Sequence, residues 1–217
     1  MPIARINDHD MYYEVLGKGD SILCMGGWGT FAHDNHHHLA RGLTDRYQVI
    51  LFDYRGICDP DLARSMLNMG AWCEVDDFLR DQLEMFRWIH EKCGFYEFQQ
   101  AVTLLSFTPD YYNANKSKLL GPQGGWKELI GKFVTHSRFV DACVNYDAKD
   151  RLAAVRCPAL IIHAGLDQVT SPRTTIPIEK AIPGAKGILW DDVAHVVAGK
   201  EQKIRFANTL FDWLKQN

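Results

Sequence analysis

A chain of 217 residues with a net charge of −3 is long enough to bury the core of one domain. Its 47% hydrophobic and 24% charged content is ordinary for a globular protein and argues against a disordered or fibrous chain. No basic block or stripe points to nucleic acid, no apolar run reaches membrane-spanning length, and MPIARINDHD lacks the apolar core of a signal peptide. The six cysteines are scattered without a close CxxC pair, several within apolar runs, so reduced thiols in a cytoplasmic protein are expected.

In chain order, Ile3 to Ile6 and Met11 to Val15 read as two strands joined by a polar turn at residues 7–10, a hairpin. Ser21 to Met25 is a strand ending in Gly26-Gly27-Trp28-Gly29-Thr30. A short helix is expected from Asn35 to Asp45, then a strand from Tyr47 to Phe52. This alternation is how an α/β sheet begins. Ser65 to Met69 is a candidate strand. Helical patterning then dominates: Glu74 to Cys93, Phe95 to Phe107, Asp110 to Leu120 and Trp126 to Tyr146. In the first of these, Val75, Phe78, Leu79, Leu83, Phe86 and Ile89 recur at threes and fours, and mark the face expected to be apolar. After a brief helical stretch from Asp150 to Val155 come a strand at Ala159, a helix from Thr174 to Ile182, a strand from Lys186 to Trp190 and a closing helix from Val196 to Lys215.

The stretch Cys157 to Pro172, CPALIIHAGLDQVTSP, organises the rest. Leu160, Ile161 and Ile162 form the unbroken apolar run of a strand covered on both faces. Asp167 comes just past its end, where open α/β sheets carry their sites. His195 comes 28 residues later, in DDVAHVV after the next strand. A carboxylate and a histidine in that order are the orienter and base of a hydrolytic triad. The competing reading makes Asp167 a helix cap before Thr170-Ser171-Pro172 and His195 a polar loop residue.

These residues carry a resemblance to the α/β-hydrolase superfamily, and within it to small enol-lactone hydrolases and carbon–carbon bond hydrolases. ILCMGGWGT resembles the oxyanion-loop strand, and YQVILFDYRGICDP resembles the next segment, Asp-x-Arg-Gly. CPALIIHAGLDQVTSP and PGAKGILWDDVAHVVAGKEQKIRFANTLFDWL resemble the acid strand, the histidine loop and the last helix. Gly26 stands where the family has histidine, and Cys58 and Pro60 where it has glycine and serine. The nucleophile elbow is missing: no Gly-x-Ser-x-Gly, Gly-x-Cys-x-Gly or Gly-x-Asp-x-Gly occurs. PDLARSMLNMGAW resembles the turn and strand that come after the family's elbow helix. The break therefore falls between Asp59 and Pro60, and about two βα units of about 30 residues each are absent.

The resemblance implies an α/β fold with a mostly parallel sheet, an N-terminal hairpin and a helical cap, its core incomplete. Residues 1–71 and 148–217 would form the discontinuous core and 72–147 the cap. His195 would be the base and Asp167 its orienter, with Gly27 and Trp28 at the oxyanion loop and the Trp28 N–H as donor. The nucleophile is unassigned; Cys58 is a weak candidate because it falls on the loop before the elbow. The histidines at 33, 36, 37 and 38 read as a solvated loop rather than a metal site. By resemblance the expected activity is hydrolysis of a small-molecule substrate (a small ester, lactone or β-keto compound) through an acyl-enzyme, with no cofactor, no metal, no nucleic acid and no membrane, and a homo-oligomer is left open. Two alternatives stand beside catalysis by this chain: a non-catalytic binding or assembly protein, and a natural protein with an internal segment that these 217 residues lack.

Overall fold

The computed structural model describes residues 3–6, 9–25, 32, 39–52 and 64–217. The chain divides into two compact units, Met1–Cys58 and Asp59–Asn217. Among the described residues no helix is long and apolar enough to cross a membrane.

The first unit holds a four-stranded sheet in the order β1-β2-β4-β3. Strand β1 (Ile3–Ile6) pairs antiparallel with β2 (His9–Leu16), so His9 and Asp10 belong to the strand rather than to the turn. Strand β4 (Gln48–Phe52) lies antiparallel to β2 and parallel to β3 (Ser21–Cys24). Val49 and Leu51 are buried while their neighbours in β4 are only partly so, the period-2 alternation of a sheet packed on one face. Gly17 is required where it stands: its φ is +75°, and a Cβ there would meet the carbonyl oxygens of Thr44 and Tyr47 at 2.4 Å. Residues 39–47 make turns and bends instead of the second half of the expected helix; residues 33–38 lie outside the described set.

The second unit is built on three parallel strands, β5 (Met66–Met69), β6 (Ala159–Ala164) and β7 (Lys186–Trp190), with β6 in the centre. Every residue of β6 is buried, as its apolar run requires. Its two faces pack on different helices. Ile161 joins Ala159, Ile178 and Ile182 under α5 (Pro172–Ala181). Ile162 and Ala164 join Trp190, Val193 and Phe206 under α6 (Lys200–Gln216). The last helix starts later than its apolar pattern, because Gly199 at φ +92° sets its entry.

No strand occurs in residues 72–147, all of which are described. Helix α1 (Asp77–Lys92) is capped by Asp76, whose Oδ1 accepts the Leu79 N–H at 2.9 Å. Helices α2 (Phe95–Ser106) and α3 (Pro109–Leu119) come next, and Thr108 and Pro109 mark the start of α3. The expected fourth helix is broken: a 3-10 turn at Lys127–Leu129 precedes α4 (Phe133–Val144), with Trp126 and Gly131 both at positive φ on either side of that turn. The buried stripe of α1 is Leu79, Gln82, Leu83, Phe86 and His90. Phe78 is 64% exposed and lies under the Arg173 guanidinium, which pairs with Asp76. Trp88, on the same helix, is 56% exposed. A hydrophobicity count passes over Gln82 and His90 because it scores them polar, yet each is buried with a specific hydrogen-bond partner.

Candidate active site

Asp167 sits three residues beyond β6, in a turn whose backbone is anchored to the next strand. The Gly165 N–H donates to Trp190 O at 2.7 Å and the Leu166 N–H to Val193 O at 2.9 Å. Gly165 approaches Asp191 closely enough that a Cβ would lie 2.9 Å from its Cα. The turns after β6 and β7 are thereby locked together at the carboxyl edge of the sheet.

The structure brings Asp167 and His195 together: Nδ1 of His195 is 2.9 Å from Oδ2 of Asp167. The carboxylate is buried and the imidazole partly exposed. Oδ1 of Asp167 accepts the backbone N–H groups of Val169 at 2.7 Å and Thr170 at 2.8 Å, while Oδ2 also accepts the Thr170 hydroxyl at 3.0 Å. Asp167 therefore closes its own turn and holds the histidine at once; it does not cap the next helix, which begins at Pro172 with Ser171 at its N-cap. Burial works to raise its pKa. The hydrogen bond and charge of His195 and the two N–H donors outweigh it and hold the carboxyl below the ordinary carboxylate range.

A carboxylate on Nδ1 leaves the proton there and the Nε2 lone pair free to take a proton from a nucleophile. Among the described residues, the groups hydrogen-bonded to the His195 ring are Asp167 and Thr170, both at Nδ1. Gly27, Trp28 and Cys58 lie outside the described residues, as do the Asp59–Pro60 junction and the histidines at 33, 36, 37 and 38.

Helices α1 and α2 reach both turns. The Gln82 side chain on α1 donates from Nε2 to Gln168 O at 2.8 Å, and the Val196 N–H, next to His195, donates to Ser106 O at the end of α2 at 2.9 Å. Two further neighbours of the pair escaped the sequence reading. Thr170 had a signal, as the third residue after an aspartate in a turn. Gly70 had almost none: it comes directly after β5 at φ +69°, and a Cβ on it would stand 3.5 Å from both His195 Cε1 and Thr170 Oγ1. A glycine after a short strand is too common to mark a site.

No protein-family model matches the chain. It is 23% identical over 243 residues to "Putative carbamate hydrolase RutD" of Azorhizobium caulinodans, covering 90% of this chain and 91% of that one. The aligned stretch is longer than the 217 residues of this chain, so it includes positions at which this chain has no residue. Among solved structures, the enol-lactonase from Burkholderia xenovorans LB400 superposes with a TM-score of 0.76 at 16% identity, over 99% of this chain and all of that one. MGS-M2, an α/β-hydrolase enzyme from a Medee basin deep-sea metagenome library, gives 0.81 at 13% identity, over 100% of this chain and 98% of that one. Likeness of this extent at such low identity is a statement about architecture. The chain has the α/β-hydrolase fold.

Proposed function

We propose that this chain carries the base and orienter of an α/β-hydrolase that cleaves a small ester, lactone or related acyl compound through an acyl-enzyme. His195 Nε2 takes the proton of an attacking hydroxyl, Asp167 holds Nδ1–H and stabilises the imidazolium, and backbone N–H groups at Gly27-Trp28 receive the oxyanion. His195 then returns the proton to the leaving oxygen, and water repeats the cycle on the acyl-enzyme. Residues 1–71 and 148–217 serve as the core and 72–147 as its cap.

The observation that carries this reading is the buried Asp167 carboxylate on His195 Nδ1 at 2.9 Å, at the carboxyl edge of a parallel sheet. Names of the relatives, a carbamate hydrolase and an enol-lactonase, support acyl chemistry on a small molecule. The five described cysteines are free, which fits a reducing, cytoplasmic setting.

The nucleophile belongs, in this reading, to an internal segment between Asp59 and Pro60 that the natural protein carries and these 217 residues lack. Two measurements test it. The purified 217-residue chain, assayed with a p-nitrophenyl ester and a five-membered lactone, is expected to show no turnover. The protein isolated from its source is expected to weigh more than 24.8 kDa by about 6–7 kDa, the mass of two βα units. Turnover by the 217-residue chain that is lost in His195→Ala overturns the missing-segment reading. A natural mass of 24.8 kDa with no turnover turns the assignment to a non-catalytic binding or assembly protein on the same fold.

A further inference from the structure

Three atoms at the site form a nearly equilateral triangle. Oδ2 of Asp167 and Nδ1 of His195 are 2.9 Å apart, and the Thr170 Oγ1 lies 3.0 Å from each. This geometry dictates the positions of the hydrogens. The Asp167 carboxylate is ionised, so Oδ2 can only accept. A ring lone pair facing it at 2.9 Å would be repelled, so Nδ1 must carry its proton. Oγ1 then has nothing to donate to on the ring, and its own proton goes to Oδ2. The role left to Oγ1 is to accept. An N–H directed midway between two acceptors in such a triangle makes an N–H···acceptor angle of about 135° with each, the bent geometry of a three-centre bond, short of the angle below which such bonds weaken steeply.

Thr170 has no freedom to turn away. It is buried and its backbone N–H is bound to Asp167 Oδ1, and a Cβ added at Gly70 would stand at ordinary contact distance from both Oγ1 and the imidazole. A single acceptor holds the N–H toward one point but lets its direction tilt. Two acceptors on one N–H, one on each side of it, hold the direction of that bond, and the tether through Cβ then limits where the far side of the ring can point.

We propose that Thr170 is a positioning residue for His195: its hydroxyl shares the Nδ1–H with Asp167 and so sets the direction of that bond and, through it, the aim of Nε2. The inference rests on His195 acting as the base, but its geometry can be tested without any reaction.

The test is proton and nitrogen NMR of the 15N-labelled 217-residue chain without substrate, with the His195 ring signals assigned by their loss in His195→Ala. The neutral ring is expected to carry its proton on Nδ1, with a downfield Nδ1–H resonance protected from exchange. Thr170→Ser, which keeps the hydroxyl, is expected to preserve it. Thr170→Val, which replaces the hydroxyl with a methyl of similar size, is expected to exchange that proton about tenfold faster while the rest of the spectrum is retained. A wild-type ring protonated on Nε2 overturns the proposal, as does unchanged exchange in Thr170→Val. If Thr170→Val does not fold, Thr170→Ala takes its place with the same two outcomes. Turnover is not read, so failure of the hydrolase assignment would appear in the assays above and leave this result standing.

Discussion

Gly165 and Asp191 pass each other backbone to backbone, with room for a hydrogen on Gly165 but none for a methyl. This approach, together with the bonds from Gly165 to Trp190 and from Leu166 to Val193, makes one rigid edge of two turns far apart in sequence. Gly165→Ala is therefore expected to lower stability by about 1–3 kcal/mol, since the neighbour is main chain and cannot rotate aside. Gly70→Ala meets its nearest atoms at ordinary contact distance, and its cost is that of a non-glycine residue at φ +69°, about 1 kcal/mol. Urea unfolding of the two variants checks the order. A milder effect at Gly165 than at Gly70 would contradict the close approach.

Inside the helical segment, His90 on α1 and His136 on α4 bring their Nδ1 atoms to 2.7 Å of each other, among Phe95, Phe98 and Phe133. Burial lowers the pKa of both. For His136 burial, then the neighbouring His90 and Arg87, push it to about 3. The unfolded chain, titrating near 6.5, binds more protons than the folded one below that pH, so stability is full above about pH 6.5 and falls as pH drops toward 3. His136 alone accounts for a loss of about 2 kcal/mol between pH 7 and pH 5. Asp167, also depressed, loses its contribution only below about pH 4, outside that window. Urea midpoints at pH 7 and pH 5 measure the slope, and His136→Leu is expected to flatten it. An unchanged slope in that variant would remove the histidine pair as its cause.

Gln82 sets two effects against each other. Its Nε2 bond to Gln168 O contributes about 0.5–1.5 kcal/mol, but its Oε1 is buried without a hydrogen-bond partner among the described residues, which costs about 1–3 kcal/mol. Gln82→Met removes both at nearly constant volume, so folding stability is expected to stay level or rise. A fall of more than about 1.5 kcal/mol in thermal or urea unfolding would mean that the tie between α1 and the acid turn outweighs the orphaned oxygen.

In the protein that carries the proposed nucleophile, Asp167→Asn is expected to cut kcat by about 10⁴ with a smaller change in KM, because an amide at this position no longer enforces a proton on Nδ1. His195→Ala is expected to bring the rate to the level left by binding and oxyanion contacts alone. Steady-state kinetics on a p-nitrophenyl ester decide it, and an Asp167→Asn enzyme within tenfold of the parent would exclude the orienting role.

Periodicity is a local property, and the features it encodes could be read from the chain alone. The buried run Leu160-Ile161-Ile162, the alternation in β4, the start of α3 at Thr108-Pro109 and the order of strands and helices all depend on neighbours a few residues apart. So does the placement of Asp167 and His195 just beyond β6 and β7. Polar residues that face inward were not legible, because their burial depends on a partner distant in sequence: Gln82 on Gln168, His90 on His136, Gln99 bridging Gly121 and Gly125. The break before α4 was hidden for the opposite reason, since an apolar pattern continues through Trp126 and Gly131 while their backbone angles do not. Local pattern was thus enough to place an acid and a base at the edge of an α/β sheet. The placing of Thr170 and Gly70 beside them is a matter of long-range packing, because a hydroxyl and a bare α-carbon acquire their meaning from the groups set against them.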